Sequence, residues 1–264
     1  MRAFALSYFI VKSELKYING VILKNIHETE DTHFIFREDY VCPYFSDGRT
    51  ATSEYLMPYT RPGSDFHKLL AKGYRRLGQI FYRNVCRECS ACLPLRIEVD
   101  KFVVSASQKR TLRRNQDIHI EINFSFTLTP GKIRLYKKYI NSKHPNDKKK
   151  VAGEPLPVLF AMHSGYDRII EMNYLIGKKL IGVGIVDEGK DALSSNYFYY
   201  DTDYLERRPG VLSILHEISL AKQMGKKYHY LGFFIEDNEK MAYKKYFRPN
   251  QIYRNKRWEE FLKK

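Results

Sequence analysis

RIIEMNYLIGKKLIGVGIVDEGKDALSSNYFYYD, residues 168–201, holds three apolar runs punctuated by Gly177-Lys178 and Glu188-Gly189. Runs rich in Ile, Val, Tyr and Phe suit a pleated surface, and glycine beside a polar residue supplies the turns between them. The stretch predicts a meander of three antiparallel strands. After it, Pro209 opens GVLSILHEISLAKQMG, a predicted helix with Ile214, Leu215, Ile218 and Ala221 on one face and a stop at Gly225. YHYLGFFI then reads as a strand and NEKMAYKKYF as a last helix. Before the meander, IHIEINFSFTL (118–128) alternates, with Ile118, Ile120, Ile122, Phe124, Phe126 and Leu128 on one face. Thr129-Pro130 caps a predicted helix, GKIRLYKKYINSK, and HPNDKKKVAGEPLP connects it to the meander.

Further upstream, LRIEVDKF alternates as a strand, and Ser105 with Gln108 forms a capping-box signature for a short basic helix. FHKLLAKGYRRLG predicts a helix from Ser64 that ends near Gly73 or Gly78. Val41 to Asp65, with three prolines and two glycines, reads as loop. MRAFALSYFIVKSELK reads as a first strand or an extension, and residues 1–37 are weakly patterned. The resulting expectation is an α+β protein: a mixed, mainly antiparallel sheet flanked by helices. Helix, three antiparallel strands, helix, strand, helix is the order of a GNAT-type acyltransferase, the N-acetyltransferase superfamily. The division expected is 1–104, an N-terminal region with a cysteine loop, and 105–264, an acyltransferase-like domain.

Composition narrows the partners. Among 264 residues, Lys and Arg number 45 and Asp and Glu 30, a formal charge of +15. Such a field attracts polyanions, nucleic acid first. No run approaches the ~18 apolar residues of a membrane span. The N-terminus lacks a small-x-small cleavage site, and Lys12 breaks its apolar stretch. Four cysteines in so long a chain are not a secreted disulfide framework. These features point to the cytoplasm, with no membrane partner; the oligomeric state stays open.

Cys86, Cys89 and Cys92 follow C-x2-C-x2-C, a spacing that lets sulfurs converge, and Cys42 is the candidate fourth thiolate. Zinc or an iron–sulfur cluster suits such a set, and reduced thiols packed without metal are the ordinary alternative. In GYRRLGQIFYRN (73–84), Arg75, Arg76 and Arg83 interleave with Tyr74, Phe81 and Tyr82; QKRTLRRN (108–115) adds Arg110, Arg113 and Arg114. Guanidinium grips carboxylate or phosphate, and aromatic faces stack on bases. Lys240 and Lys244, four apart, project from one face of the predicted last helix as a cation patch or as solvated surface. There is no P-loop, HExxH or G-x-S-x-G. RRPGVL nearly matches an acetyl-CoA loop, but Leu212 stands where a small residue must admit pyrophosphate, which disfavours coenzyme A.

CPYFSDGRTA, GYRRLGQIFYRNVCRECSACLPLRIEVDKF, SQKRTLRRNQD, LSSNYFYYD and YLGFFIEDNEKMAYKKYFRP, collinear from Cys42 to Trp258, together resemble the N-end rule aminoacyl-tRNA–protein transferases. The short chain and its cysteine loop are most similar to the bacterial branch, which transfers leucine to N-terminal Asp or Glu. The resemblance implies an aminoacyltransferase whose partners are aminoacyl-tRNA and proteins beginning with Asp or Glu, marked thereby for degradation. Arginyl transfer to the same acceptors is the alternative within the family; a non-enzymatic, metal-containing RNA-binding protein is the alternative outside it. On this reading Arg75, Arg76 and Lys240 hold the acidic N-terminus with Tyr82 and Lys244 nearby, and Arg110, Arg113 and Arg114 hold tRNA phosphates. The aminoacyl ester is already activated and an α-amine has a pKa of about 7.7–8.0, so positioning dominates and no general base is singled out.

Overall fold

A computed structural model describes residues 27–28, 33–58, 66–125, 127–143 and 156–261. The N-terminal strand or extension, the helix start at Ser64, Phe126 and most of the connection 144–157 lie outside these residues. Strands β1 (His27–Glu28), β2 (His33–Val41), β3 (Thr50–Pro58), β4 (Arg75–Leu77) and β5 (Ile80–Asn84) form one antiparallel sheet in the order β1-β2-β3-β5-β4. A second sheet holds β6 (Leu93–Glu98), β7 (Ile118–Asn123), β8 (Ile169–Ile176), β9 (Lys179–Glu188), β10 (Ala192–Tyr200), β11 (Tyr228–Phe234), β12 (Gln251–Arg254) and β13 (Arg257–Glu260). Its order is β13-β12-β6-β11-β10-β9-β8-β7.

The helices are α1 (Phe66–Ala71), α2 (Ala106–Arg114), α3 (Pro130–Lys143), α4 (Leu156–His163), α5 (Pro209–Gln223) and α6 (Glu239–Ala242). Among the described residues none is long and apolar enough to cross a membrane. One core joins α1, α3 and α4 to the large sheet through Phe66, Leu70, Leu135, Tyr136, Leu159 and Val183. On the opposite side, α5 packs Val211, Ile214, Leu215 and Ile218 against Leu95, Ile97, Leu231 and Phe234. Ser105 and Gln108 close the predicted capping box on α2.

The meander forms as β8, β9 and β10, and the flanking elements follow in the expected order, so the architecture is that of a GNAT-like acyltransferase. Two expectations are corrected. The predicted loop 41–65 contains β3, whose Ala51, Ser53 and Tyr55 are buried beside β2 and β5. Upstream of the expected boundary at residue 104, β6 lies between β12 and β11 in the large sheet, with Leu95 and Ile97 fully buried. The last helix shrinks to α6 and a 3-10 turn, Tyr243–Tyr246.

In the large sheet, β10 and β11 pair in parallel only through Ala192–Tyr228, Leu193–His229 and Ser194–Tyr230. Both strands then break register, β10 between Ser195 and Tyr197, β11 between Tyr230 and Gly232. An extra residue bends a strand. With both bent at one level the pair splays, leaving backbone unpaired in the middle of a sheet.

Candidate active site

Arg75 reaches this divergence from the small sheet. Its Nη2 donates to the carbonyls of Ser195 and Asn196, each at 2.9 Å. Its guanidinium lies over Gly232, where an added Cβ would stand 2.0 Å from Nη1, and 5.7 Å from the Phe233 ring. Gly232 has φ +74°, so both backbone conformation and close approach require glycine there. Tyr82 is the cross-strand partner of Arg75 in the β4–β5 hairpin, with its ring 6.1 Å from Phe233. Arg75, with Nε and Nη1 free among the described residues, keeps donors for an anionic group.

Arg76 points the other way, as strand alternation dictates. Its side chain is buried: Nε and Nη2 donate to Asp187, Nη1 to the carbonyls of Gly78 and Ser164, and Nη2 also to Met162. Every nitrogen of the fork has a partner, so Arg76 fastens the two sheets together and cannot read a substrate. This corrects its expected role.

Lys240 and Lys244 do not share a face. Lys240 is exposed, with Nζ 3.4 Å from the carbonyl of Lys143 at the end of α3. Lys244 turns inward on the 3-10 segment, is buried, and donates to the carbonyl of Phe233 at 2.8 Å. Burial first, and then Arg75, lower Lys244 to about 7, against the opposing pull of Glu217. The four-residue spacing assumed a continuous helix, and the change of helical type after Ala242 removes that geometry.

Sequence reasoning missed Glu217, Ser195, Asn196 and Gly232. Glu217 on α5 accepts hydrogen bonds from Ser195 Oγ, from Ser213 Oγ at 2.6 Å and from His229 Nε2 at 3.0 Å. Burial raises its pKa, but these partners outweigh burial and hold it below the usual carboxylate range. A lone carboxylate in the apolar run VLSILHEISLA, and a glycine inside a strand, were the available signals. Around the same divergence stand Tyr139, Tyr197, Tyr200 and Tyr243, with Tyr139 packing edge-on against Tyr197 and Tyr200. Burial raises all four phenols, so the wall they form is uncharged.

Arg110, Arg113 and Arg114 lie exposed on α2; Arg114 donates to the carbonyl of Glu206 at 2.6 Å. The helix adjoins the segment bearing Lys244, since Gln108 donates to the carbonyl of Tyr246.

The four thiols line one cavity of about 40 Å³ with Tyr40, Tyr44 and Arg49. Among the described residues, however, no group of three or more Cys, His, Asp or Glu is placed to hold a metal ion. Cys86 Sγ instead accepts from the backbone N–H of Thr52 at 3.3 Å, and Cys89 Sγ from Arg49 at 3.7 Å. Burial pushes Cys92 up to about 12. No step is drawn through the expected zinc or iron–sulfur site.

The order of strands and helices around this splayed pair is that of a GNAT-like acyltransferase. Residues 40–110 match the family model described as arginine-tRNA-protein transferase, N terminus, and residues 131–254 match its C terminus. The aspartate/glutamate leucyltransferase of Shewanella oneidensis is 34% identical over 228 residues, covering 83% of this chain and 91% of that protein. The enzyme of the same name from Saccharophagus degradans is 30% identical, covering 84% and 93%. Among solved structures, L-PGS from Bacillus licheniformis superposes with a TM-score of 0.41 at 10% identity, over 67% of this chain and 54% of that one. The chain belongs to the aminoacyl-tRNA–protein transferase family and is an aminoacyltransferase.

Proposed function

We propose that this protein transfers leucine from leucyl-tRNA to the α-amine of proteins beginning with Asp or Glu, acting in the cytoplasm and marking its targets for N-end rule degradation. The observation that carries the reading is Arg75, held at the strand divergence by two carbonyls with Nε and Nη1 left to grip the acceptor's acidic side chain. Its amine then lies where a GNAT-like fold brings acceptor and acyl donor together. The neutral amine attacks the ester carbonyl, the C–N bond forms, and the ribose oxygen departs. Holding the two reactants together supplies most of the acceleration. Tyr139, Tyr197, Tyr200 and Tyr243 offer the transferred side chain an uncharged surface, which suits leucine better than a guanidinium. Arg110 and Arg113 lie exposed, ready for the phosphates of the tRNA.

The test pairs labelled leucyl-tRNA or arginyl-tRNA with peptides beginning with Asp, Glu, Lys or Ala. Leucine transfer to Asp and Glu alone is the expected result. Transfer from arginyl-tRNA in its place assigns the chain to the arginyl alternative, and transfer from neither overturns the reading.

A further inference from the structure

Among the described residues, three lysines are buried: Lys132, Lys226 and Lys244. Lys132 faces Glu171 at 2.5 Å and Lys226 faces Glu188 at 2.7 Å, the pairing a buried ammonium requires. Lys244 has no carboxylate at ion-pair distance among the described residues. Its hydrogen-bond partner among the described residues is the Phe233 carbonyl, 2.8 Å away on β11 just past the register break. The charged groups facing it are Arg75 from β4, which disfavours the ammonium, and Glu217 from α5, whose oxygens are engaged by Ser195, Ser213 and His229. A neutral donor would cap the Phe233 carbonyl at lower desolvation cost, so capping does not explain a lysine here.

We propose that Lys244 is a catalytic residue of the transfer, taking a proton from the attacking α-amine and returning it to the departing ribose oxygen. The proposal rests on the aminoacyl transfer put forward above. When the amine nitrogen bonds to the ester carbon, the ester C=O electrons move onto oxygen and one N–H proton passes to the lone pair of Nζ. As the oxyanion collapses, the ester C–O bond breaks. The Lys244 ammonium gives that proton to the ribose oxygen, and the lysine ends neutral as it began. Arg75, holding the acidic side chain of the same acceptor residue, fixes its amine a few bonds away. A pKa lowered to about 7 gives both forms of the lysine near neutrality, the condition for an acid–base shuttle. An arginine, charged throughout, could make the same contact to Phe233 and not the shuttle.

The decisive experiment is single-turnover transfer from leucyl-tRNA by wild type, K244R and K244M across about pH 6 to 9. Two Asp-initiated acceptors whose α-amines differ in basicity are compared. The wild-type profile is expected to show an inflection that moves with the acceptor and a second, near pH 7, that does not. K244R and K244M lose the fixed inflection and about 100-fold or more in rate, while peptide KM and tRNA affinity stay within about threefold. A wild-type profile without the fixed inflection overturns the proposal, as does a K244R rate within about threefold of wild type. Should both variants melt below the assay temperature, the wild-type profile with the two acceptors decides alone. A wild type that transfers nothing from intact leucyl-tRNA overturns the transfer reading itself, and this proposal with it.

Discussion

Arg76 and Asp187 meet through two hydrogen bonds, Nε to Oδ2 at 2.9 Å and Nη2 to Oδ1 at 2.6 Å, with both side chains 2% exposed or less. The pair ties β4 to β9 and so places Arg75, the next residue, at the strand divergence. Removing one member of a buried pair leaves the other charge uncompensated, at about 3–5 kcal/mol. Arg76→Ala and Asp187→Asn are therefore expected to lose stability on that scale in denaturant titrations. A loss below about 1 kcal/mol would show that solvent reaches the pair.

Arg75 gives a different signature. Arg75→Lys keeps the charge and removes the Nε and Nη1 donors together with the two anchoring bonds of Nη2; a hydrogen bond to a charged partner is worth roughly 1.5–3 kcal/mol. The KM for an Asp peptide should rise about tenfold or more, with tRNA affinity and melting temperature nearly unchanged. Equal losses in peptide and tRNA binding would contradict the placement.

Gly232→Ala tests the same contact from the other side. Its Cβ would fall 2.0 Å from Arg75 Nη1, at φ +74°, so the guanidinium must leave its place over β11. Peptide KM should rise as in Arg75→Lys, accompanied by a fall in melting temperature from backbone strain. An unchanged KM in a folded Gly232→Ala protein would show that Arg75 does not need this position.

The arginines of α2 predict a salt effect. Each lost phosphate contact lowers the slope of log affinity against log salt by roughly 0.7–0.9. Arg110→Glu and Arg113→Glu should weaken tRNA binding in this way without altering peptide KM. Arg114→Glu is expected to destabilise the fold as well, because Arg114 donates to Glu206 on the next segment. A salt slope identical to wild type in all three would remove α2 from the tRNA interface.

Lys244 makes stability depend on pH. Its folded-state pKa is lowered to about 7 from 10.5, so between those values the unfolded chain binds more protons. Stability then rises with pH across that window, by up to ~1.4 kcal/mol per pH unit. Below about 7 its protonation penalty is fully present. Lys244→Met should remove this term, so the stability of the variant relative to wild type declines as pH rises from 7 toward 10. A pH-independent difference would mean that Lys244 stays charged in the fold.

Much of the architecture was legible because it is local. Gly177 and Gly189 sit between the strands of the meander, Gly225 ends α5, and the Ser105–Gln108 box starts α2. Each of these turns on residues a few positions apart. Strand β3 was hidden because Pro43 and Gly48 precede it, Pro58 ends it, and its Ser and Thr residues resemble loop. The position of β6 was hidden because its alternation names a strand and not its neighbours.

The amino acids in order suffice for the elements, the basic charge and the family motifs, since backbone preference, side-chain period and net charge need no distant partner. Which of two adjacent arginines is bound up in the core, which of two lysines is buried, and that Glu217 lies beside Ser195 and His229, were settled by the folded chain alone. Those outcomes depend on which strands pair and where the pairing breaks. Contacts between residues more than a hundred positions apart, such as Arg76 with Asp187, leave no period in the sequence to read.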